Sequence, residues 1–129
     1  DGIPDAWELQ HAGNLTTLSG AGHDQDGDGV SDVNEYLADT NPMDPNDNLR
    51  ITAIAANSGG STSTVTWTSH PTRLYQVQSR DSLTTGSWGT NSPPGVVSPD
   101  LGLTTTRDAP GAATNNRFCR VQAIRPLKP

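Results

Sequence analysis

Residues 24–35 read DQDGDGVSDVNE, five carboxylates in twelve positions, and how that run is neutralised decides what the N-terminal part of the chain can be. No Lys or Arg lies within 14 residues of it. Asp24, Asp26, Asp28, Asp32 and Glu35 would therefore repel one another at short range unless a cation joined them. The spacing supplies the remedy, because the run fits the twelve-position loop D-x-[DN]-x-[DN]-G-x5-E at every specified position: Asp24, Asp26, Asp28, Gly29 and Glu35. A hard cation wants about six to eight oxygens, and carboxylates at the first, third and fifth positions present three from one tight turn. Gly29 permits the reversal, the Val30 carbonyl adds a backbone oxygen, Asp32 contributes directly or through water, and Glu35 closes the shell with both oxygens. This pattern selects calcium. Magnesium prefers fewer protein ligands and more water, and zinc would want His or Cys, so the adjacent His23 reads as a bystander.

The loop has an echo. DGIPDAWE at 1–8 repeats DGVSDVNE at 28–35 with a period of 27 residues, which indicates two copies of one supersecondary unit. The first copy supplies Asp1, the Ile3 carbonyl, Asp5 and Glu8 but lacks the two leading ligands. Either its carboxylates only cap a helix, or a second calcium is completed from the segment DTNPMDPNDN, which offers Asp39, Asn41, Asp44 and Asp47. In each copy an Asp stands three residues before the Glu, the spacing of a capping box, and this predicts helices beginning at Asp5 and Asp32. The first runs to Gly13 and the second to about Thr40, where Asn41-Pro42 stops it. Ala6 and Leu9, then Val33, Tyr36 and Leu37, give each helix a narrow apolar face, with Trp7 nearby. GNLTTLSGAGH at 13–23 reads as loop.

Charge divides the chain. Residues 1–48 hold 11 of the 14 acidic residues and no basic one, whereas 49–129 hold three acidic and all eight basic residues, so −11 faces +5 across a boundary near Asn48. With 31% hydrophobic residues, 5% aromatic, 13 Gly and 10 Pro, either part can build only a small core, and a stabilising accessory is expected. The single cysteine, Cys119, excludes an intrachain disulfide in that role. A net charge of −6 disfavours nucleic acid and anionic membrane as partners, and no apolar run reaches membrane-spanning length. The chain opens without an initiator Met and is read as a mature or excised piece of something longer.

From Leu49 onward the apolar period changes from helical to alternating. LRITAIAA, STSTVTWTS, RLYQVQSR, GSWGT, LTTTRDA and RFCRVQAI are short runs rich in Thr, Val, Ile and aromatics, separated by turn-forming stretches. The whole chain is thus expected to be α+β: a loop-helix calcium domain over 1–48, then an antiparallel β-sandwich of about six strands over 49–129. Val65 and Trp67, Tyr75 and Val77, and Cys119, Val121 and Ala123 fall on the inward alternation.

The residues DGIPDAWELQHAGNL and DQDGDGVSDVNEYLADTNPMDP resemble the calcium-binding modules of large secreted bacterial proteins related to thrombospondin type 3 repeats, and the loop-helix duplication is also similar to that of dockerins. The part with VTWTS, RLYQVQSRDSLTTGSW and RFCRVQAI resembles the small immunoglobulin/fibronectin III-like sandwich that follows such modules. The resemblance implies an extracellular or cell-surface, non-catalytic module that calcium rigidifies and orients to its neighbours. Two features depart from it. Cys119 stands where an aromatic is more usual and is expected to be a buried thiol. Only RPLKP follows RFCRVQAI, a poor last strand, so the edge beside Phe118 to Ile124 is either open to a strand from another chain or covered by 49–56 or the N-terminal segment. Combined with the opposed charges, an open edge would favour head-to-tail self-association into a fibre.

Catalysis finds no support, since His11, His23 and His70 are scattered and Cys119 lies in an expected strand. The rival function is a carbohydrate-binding accessory module of a larger secreted enzyme, with Trp88 as the sugar contact and a polysaccharide as partner. Asn14-Leu15-Thr16 matches the N-glycosylation acceptor pattern, and Ser61 to Thr66 offers hydroxyls for O-linked sugar.

Overall fold

The computed structural model describes residues 1–56, 59, 62–80, 82–90, 96–110 and 118–126. Ser61, Arg117 and the terminal residues 127–129, which figure in the expected strands and edge, lie outside the described residues. The protein is α+β, two short helices and mostly antiparallel sheet, and it divides into two compact units, Asp1–Leu49 and Arg50–Pro129.

The first unit carries α1, Asp5–His11, and α2, Asp32–Ala38. Both begin at the residues expected, yet neither uses a capping box. The N-caps are Pro4 and Ser31, with no side-chain bond, and Asp5 and Asp32 are the first helical residues. There a carboxylate still favours the positive end of the helix. Asp32 turns its carboxylate back into the preceding loop, and Glu8 and Glu35 are buried. Helix α2 ends earlier than expected because Asp39 adopts φ 62°, a left-handed cap, after which the Thr40 N–H donates to the Glu35 carbonyl at 3.0 Å.

The core of this unit also departs from the expected stripe. Leu9 is 52% exposed and Ala6 is exposed. The buried cluster is Ile3, Trp7 and Leu18, flanked by Ala12, Val33 and Tyr36. Trp7 meets Tyr36 edge to face at 5.5 Å and lies 4.2 Å from the His11 ring. Leu18 comes from the irregular segment between the helices, which thus supplies core as well as connection.

The second unit contains two three-stranded antiparallel sheets. One is ordered β1 (Ile51–Ala56), β2 (Thr62–Thr68), β5 (Thr104–Pro110); the other is β4 (Gly89–Thr90), β3 (Arg73–Arg80), β6 (Phe118–Pro126). Alternation works as expected on β2 and β3, where Val65, Trp67, Tyr75 and Val77 are buried, with Ala109, Val97 and Ala123 beside them. Trp67 and Tyr75 meet at 6.0 Å, one ring from each sheet, and the Tyr75 hydroxyl accepts the His70 N–H at 2.7 Å. Cys119 and Val121 are half-buried where full burial was expected. Strand β1 is exposed along most of its length, Ile54 at 58%. The expected strand 86–90 shortens to Gly89–Thr90 because the turn before it wraps the Arg80 guanidinium, whose Nη2 donates to the Thr85 and Gly86 carbonyls at 2.8 and 3.1 Å. Strand β1 is hydrogen-bonded to β2, so 49–56 does not cover the β6 edge; among the described strands β6 pairs with β3.

Candidate metal centre

The acidic loop is built from side chains that accept their own backbone. Asp24 Oδ1 accepts the Gly27 N–H at 2.8 Å and its Oδ2 the Gly29 N–H at 2.9 Å, which holds its carboxyl below the usual range. Such a close wrap needs a backbone that turns back on itself, and Gly27 and Gly29 lie at φ 78° and 95°, where a side chain would be strained. Asp26 Oδ1 accepts the Asp28 N–H at 3.1 Å, and Asp28 Oδ1 accepts the Val30 N–H at 2.7 Å. The Asn48 side-chain amide donates to Asp28 Oδ2 at 2.8 Å, tying the end of the unit to the loop. As a result Asp24, Asp26 and Asp28 each offer an oxygen within 4.8 Å of the other two.

Two oxygens beside this cluster have no protein partner. Asp26 Oδ2 and Glu35 Oε2 are both buried and unbonded, and Glu35 is 0% exposed. The other Glu35 oxygen has one long bond, from Thr40 Oγ1 at 3.4 Å. Burial, then the charges of Asp26, Asp28 and Asp32, push the Glu35 carboxyl up to about 8, and burial raises Asp26 as well. A buried carboxylate with an unmet lone pair is costly. Its neighbours make it hold a proton, and a divalent cation among the same oxygens would take the proton's place.

Asp32 has a different job from the one its spacing implied. Its Oδ1 accepts the Gln25 N–H at 2.9 Å, and its Oδ2 accepts the Ser19 N–H at 3.1 Å and His23 Nδ1 at 2.6 Å. The Asp32 N–H returns a bond to the His23 carbonyl at 2.8 Å. Asp32, 0% exposed, is thus the clasp that closes the loop, and His23 is part of that clasp. Neither His23 nor Asn48 is specified by the loop pattern: His23 adjoins the loop in sequence, whereas Asn48 lies 20 residues after the Asp28 it bonds.

The first copy repeats part of this geometry. Asp1 Oδ1 accepts the Ile3 N–H at 3.0 Å, as Asp28 does for Val30 one period later. Glu8 is 2% exposed with a buried, unbonded Oε1, the counterpart of Glu35. Asp5, however, is exposed. The segment expected to complete the site bonds within itself: Asp47 Oδ2 accepts the Asn41 N–H at 3.0 Å, Asn41 Oδ1 the Met43 N–H at 3.2 Å, and Asp44 Oδ1 the Asn46 N–H at 3.1 Å. Among the described residues the three-carboxylate gathering is Asp24, Asp26 and Asp28 alone, and Asp1, Asp5, Glu8, Asp39, Asp44 and Asp47 form no second one.

The remaining candidates are also placed. Asn14 Oδ1 accepts the Thr16 and Thr17 N–H groups and the Thr16 hydroxyl, all at 2.9 Å, while its Nδ2 donates to the Ala12 carbonyl at 3.0 Å, so the acceptor amide is engaged in its own turn. Trp88 is half-buried, with the guanidinium carbons of Arg120 and Arg80 at 4.5 and 5.3 Å from its ring centroid. No family model matches the chain, and neither a curated protein nor a solved structure does.

Proposed function

We propose that the chain is a calcium-stabilised, non-catalytic module of a secreted or cell-surface protein, related to thrombospondin type 3 repeats and followed by a fibronectin III-like sandwich. Asp24, Asp26, Asp28, the Val30 carbonyl and Glu35 hold one ion, and Asp32 organises the loop around it. The observation that carries this is Glu35: a fully buried carboxyl with an unmet oxygen, under the field of the neighbouring aspartates. A buried, unbonded oxygen on Glu8 supports a weaker second site, with Asp1 and the Ile3 carbonyl as its further donors. The contact between Trp67 and Tyr75 supports the two sheets as faces of one sandwich. His11 against Trp7 and His23 against Asp32 have structural roles, which favours the non-catalytic reading. The opposed charges of the two units favour head-to-tail association of copies or neighbouring modules.

Extracellular calcium modules bind with dissociation constants of roughly 10⁻⁴ to 10⁻³ M, and rigid acidic loops more tightly. An ion present at about a hundred times its dissociation constant adds about 2.7 kcal/mol to folding, a large share of what a small domain has. Thermal unfolding of wild type and Glu35→Gln, each in calcium and in chelator, tests the proposal. Calcium should raise the midpoint of wild type and do so much less in the variant. An identical midpoint in all four samples contradicts it.

A further inference from the structure

Side chains two apart along a strand share a face, so Gln76, Gln78 and Arg80 of β3 lie on the side opposite Tyr75 and Val77. The β3–β6 register puts Gln122 opposite Gln76 and Arg120 opposite Gln78 on that same side. Trp88, from the connection leading into β4, lies against this face between the two arginines. Among the described residues neither the Asp100–Arg107 ion pair nor the His23–Asp32 contact involves Arg80 or Arg120.

The two arginines are held differently. Arg80 holds the 82–87 turn through Nη2, as described above. Arg120 is exposed, stacks nearer the indole, and donates from Nε to Gln78 Oε1 at 2.6 Å. Its two terminal amino groups have no protein partner among the described residues. A guanidinium fixed at its stem and face has already lost much of its rotamer freedom, and its remaining fork matches a planar oxyanion. A pocket of about 320 Å³ is lined by Arg80 and by the hydroxyl residues Ser79, Ser82, Thr85 and Ser87.

We propose that this face binds an acidic saccharide, whose carboxylate or sulfate ester sits on the Arg120 fork while its hydroxyls meet the hydroxyl-lined pocket and the Gln76 and Gln122 amides. Trp88 is a positioning residue: it orients Arg120. A guanidinium against its ring makes it a poor stacking surface for a neutral sugar, which is why the ligand is charged. Two arginines on a chain of net charge −6 are too few to neutralise a nucleic-acid backbone. The site is independent of the calcium loop.

Isothermal titration of the full chain in calcium, with trigalacturonate, its methyl ester and a sulfated disaccharide, tests this. At least one of the two acids should bind and the ester should not; which acid binds distinguishes uronate from sulfate ester. Arg120→Gln should weaken binding at least tenfold with an unchanged melting midpoint, and Arg120→Lys should also weaken it, because the charge stays but the fork is lost. Arg50→Gln, an exposed arginine elsewhere, should bind as wild type. No heat with either acid, equal binding of the ester, wild-type binding by both Arg120 variants, or a preference for a single-stranded oligonucleotide overturns the proposal.

Discussion

Glu35 is buried with one oxygen that no protein donor meets, and its carboxyl keeps a proton unless a cation replaces it. In metal-free protein its folded value of about 8 stands above the ordinary 4.5, so the folded state binds the proton more tightly than the unfolded chain. Its stabilising contribution is complete below about pH 4.5 and is lost as the pH rises through 8. Chelated wild type should therefore melt lower at pH 8 than at pH 5.5, and calcium should flatten that slope by taking the proton's place. Glu35→Gln, which cannot ionise, should show a reduced slope in chelator. Scanning calorimetry at the two pH values checks all three expectations. Asp32 has a different role, because its carboxylate accepts backbone N–H groups of the loop. Asp32→Ala leaves the Ser19 and Gln25 N–H groups without their acceptor and should cost about 1–3 kcal/mol. Urea unfolding should find that loss in chelator as well as in calcium, whereas Glu35→Gln should lower stability only in calcium.

At the scale of elements, what was legible in the sequence was what repeats at short range. The D-x-D-x-D-G spacing and the 27-residue echo locate the loop and the starts of α1 and α2, and alternation locates β2 and β3. Leu18 was not legible, because a lone Leu among Gly, Ser and Thr has no periodic neighbours to mark it as core. It is 0% exposed, and Leu18→Ala should cost about 2–5 kcal/mol, read as a lower denaturant midpoint even in calcium. The setting of Trp88 was hidden for a related reason: Arg120 reaches Gln78 from 42 residues away, a juxtaposition fixed only by strand register. The capping box at α2 failed because the Asp32 carboxylate accepts loop N–H groups instead. Short-range spacing cannot say which of two partners a carboxylate prefers.

At the scale of the whole molecule, each unit has its own core: Ile3, Trp7 and Leu18 in the first, Val65, Trp67 and Tyr75 in the second. Only the first contains the acidic loop. Two unfolding transitions are therefore expected, and chelation should lower one while leaving the other in place. Limited proteolysis in chelator should cleave within 1–49 first and spare a fragment from the second unit. Calorimetric titration of metal-free protein with calcium at pH 7 tests most directly whether calcium enters the loop. Binding at the acidic loop, with release of a proton seen as a dependence of the heat on buffer ionisation, and with affinity sharply reduced in Glu35→Gln, is the predicted result. No binding heat up to millimolar calcium, or a Glu35→Gln variant that binds as wild type does, would contradict it.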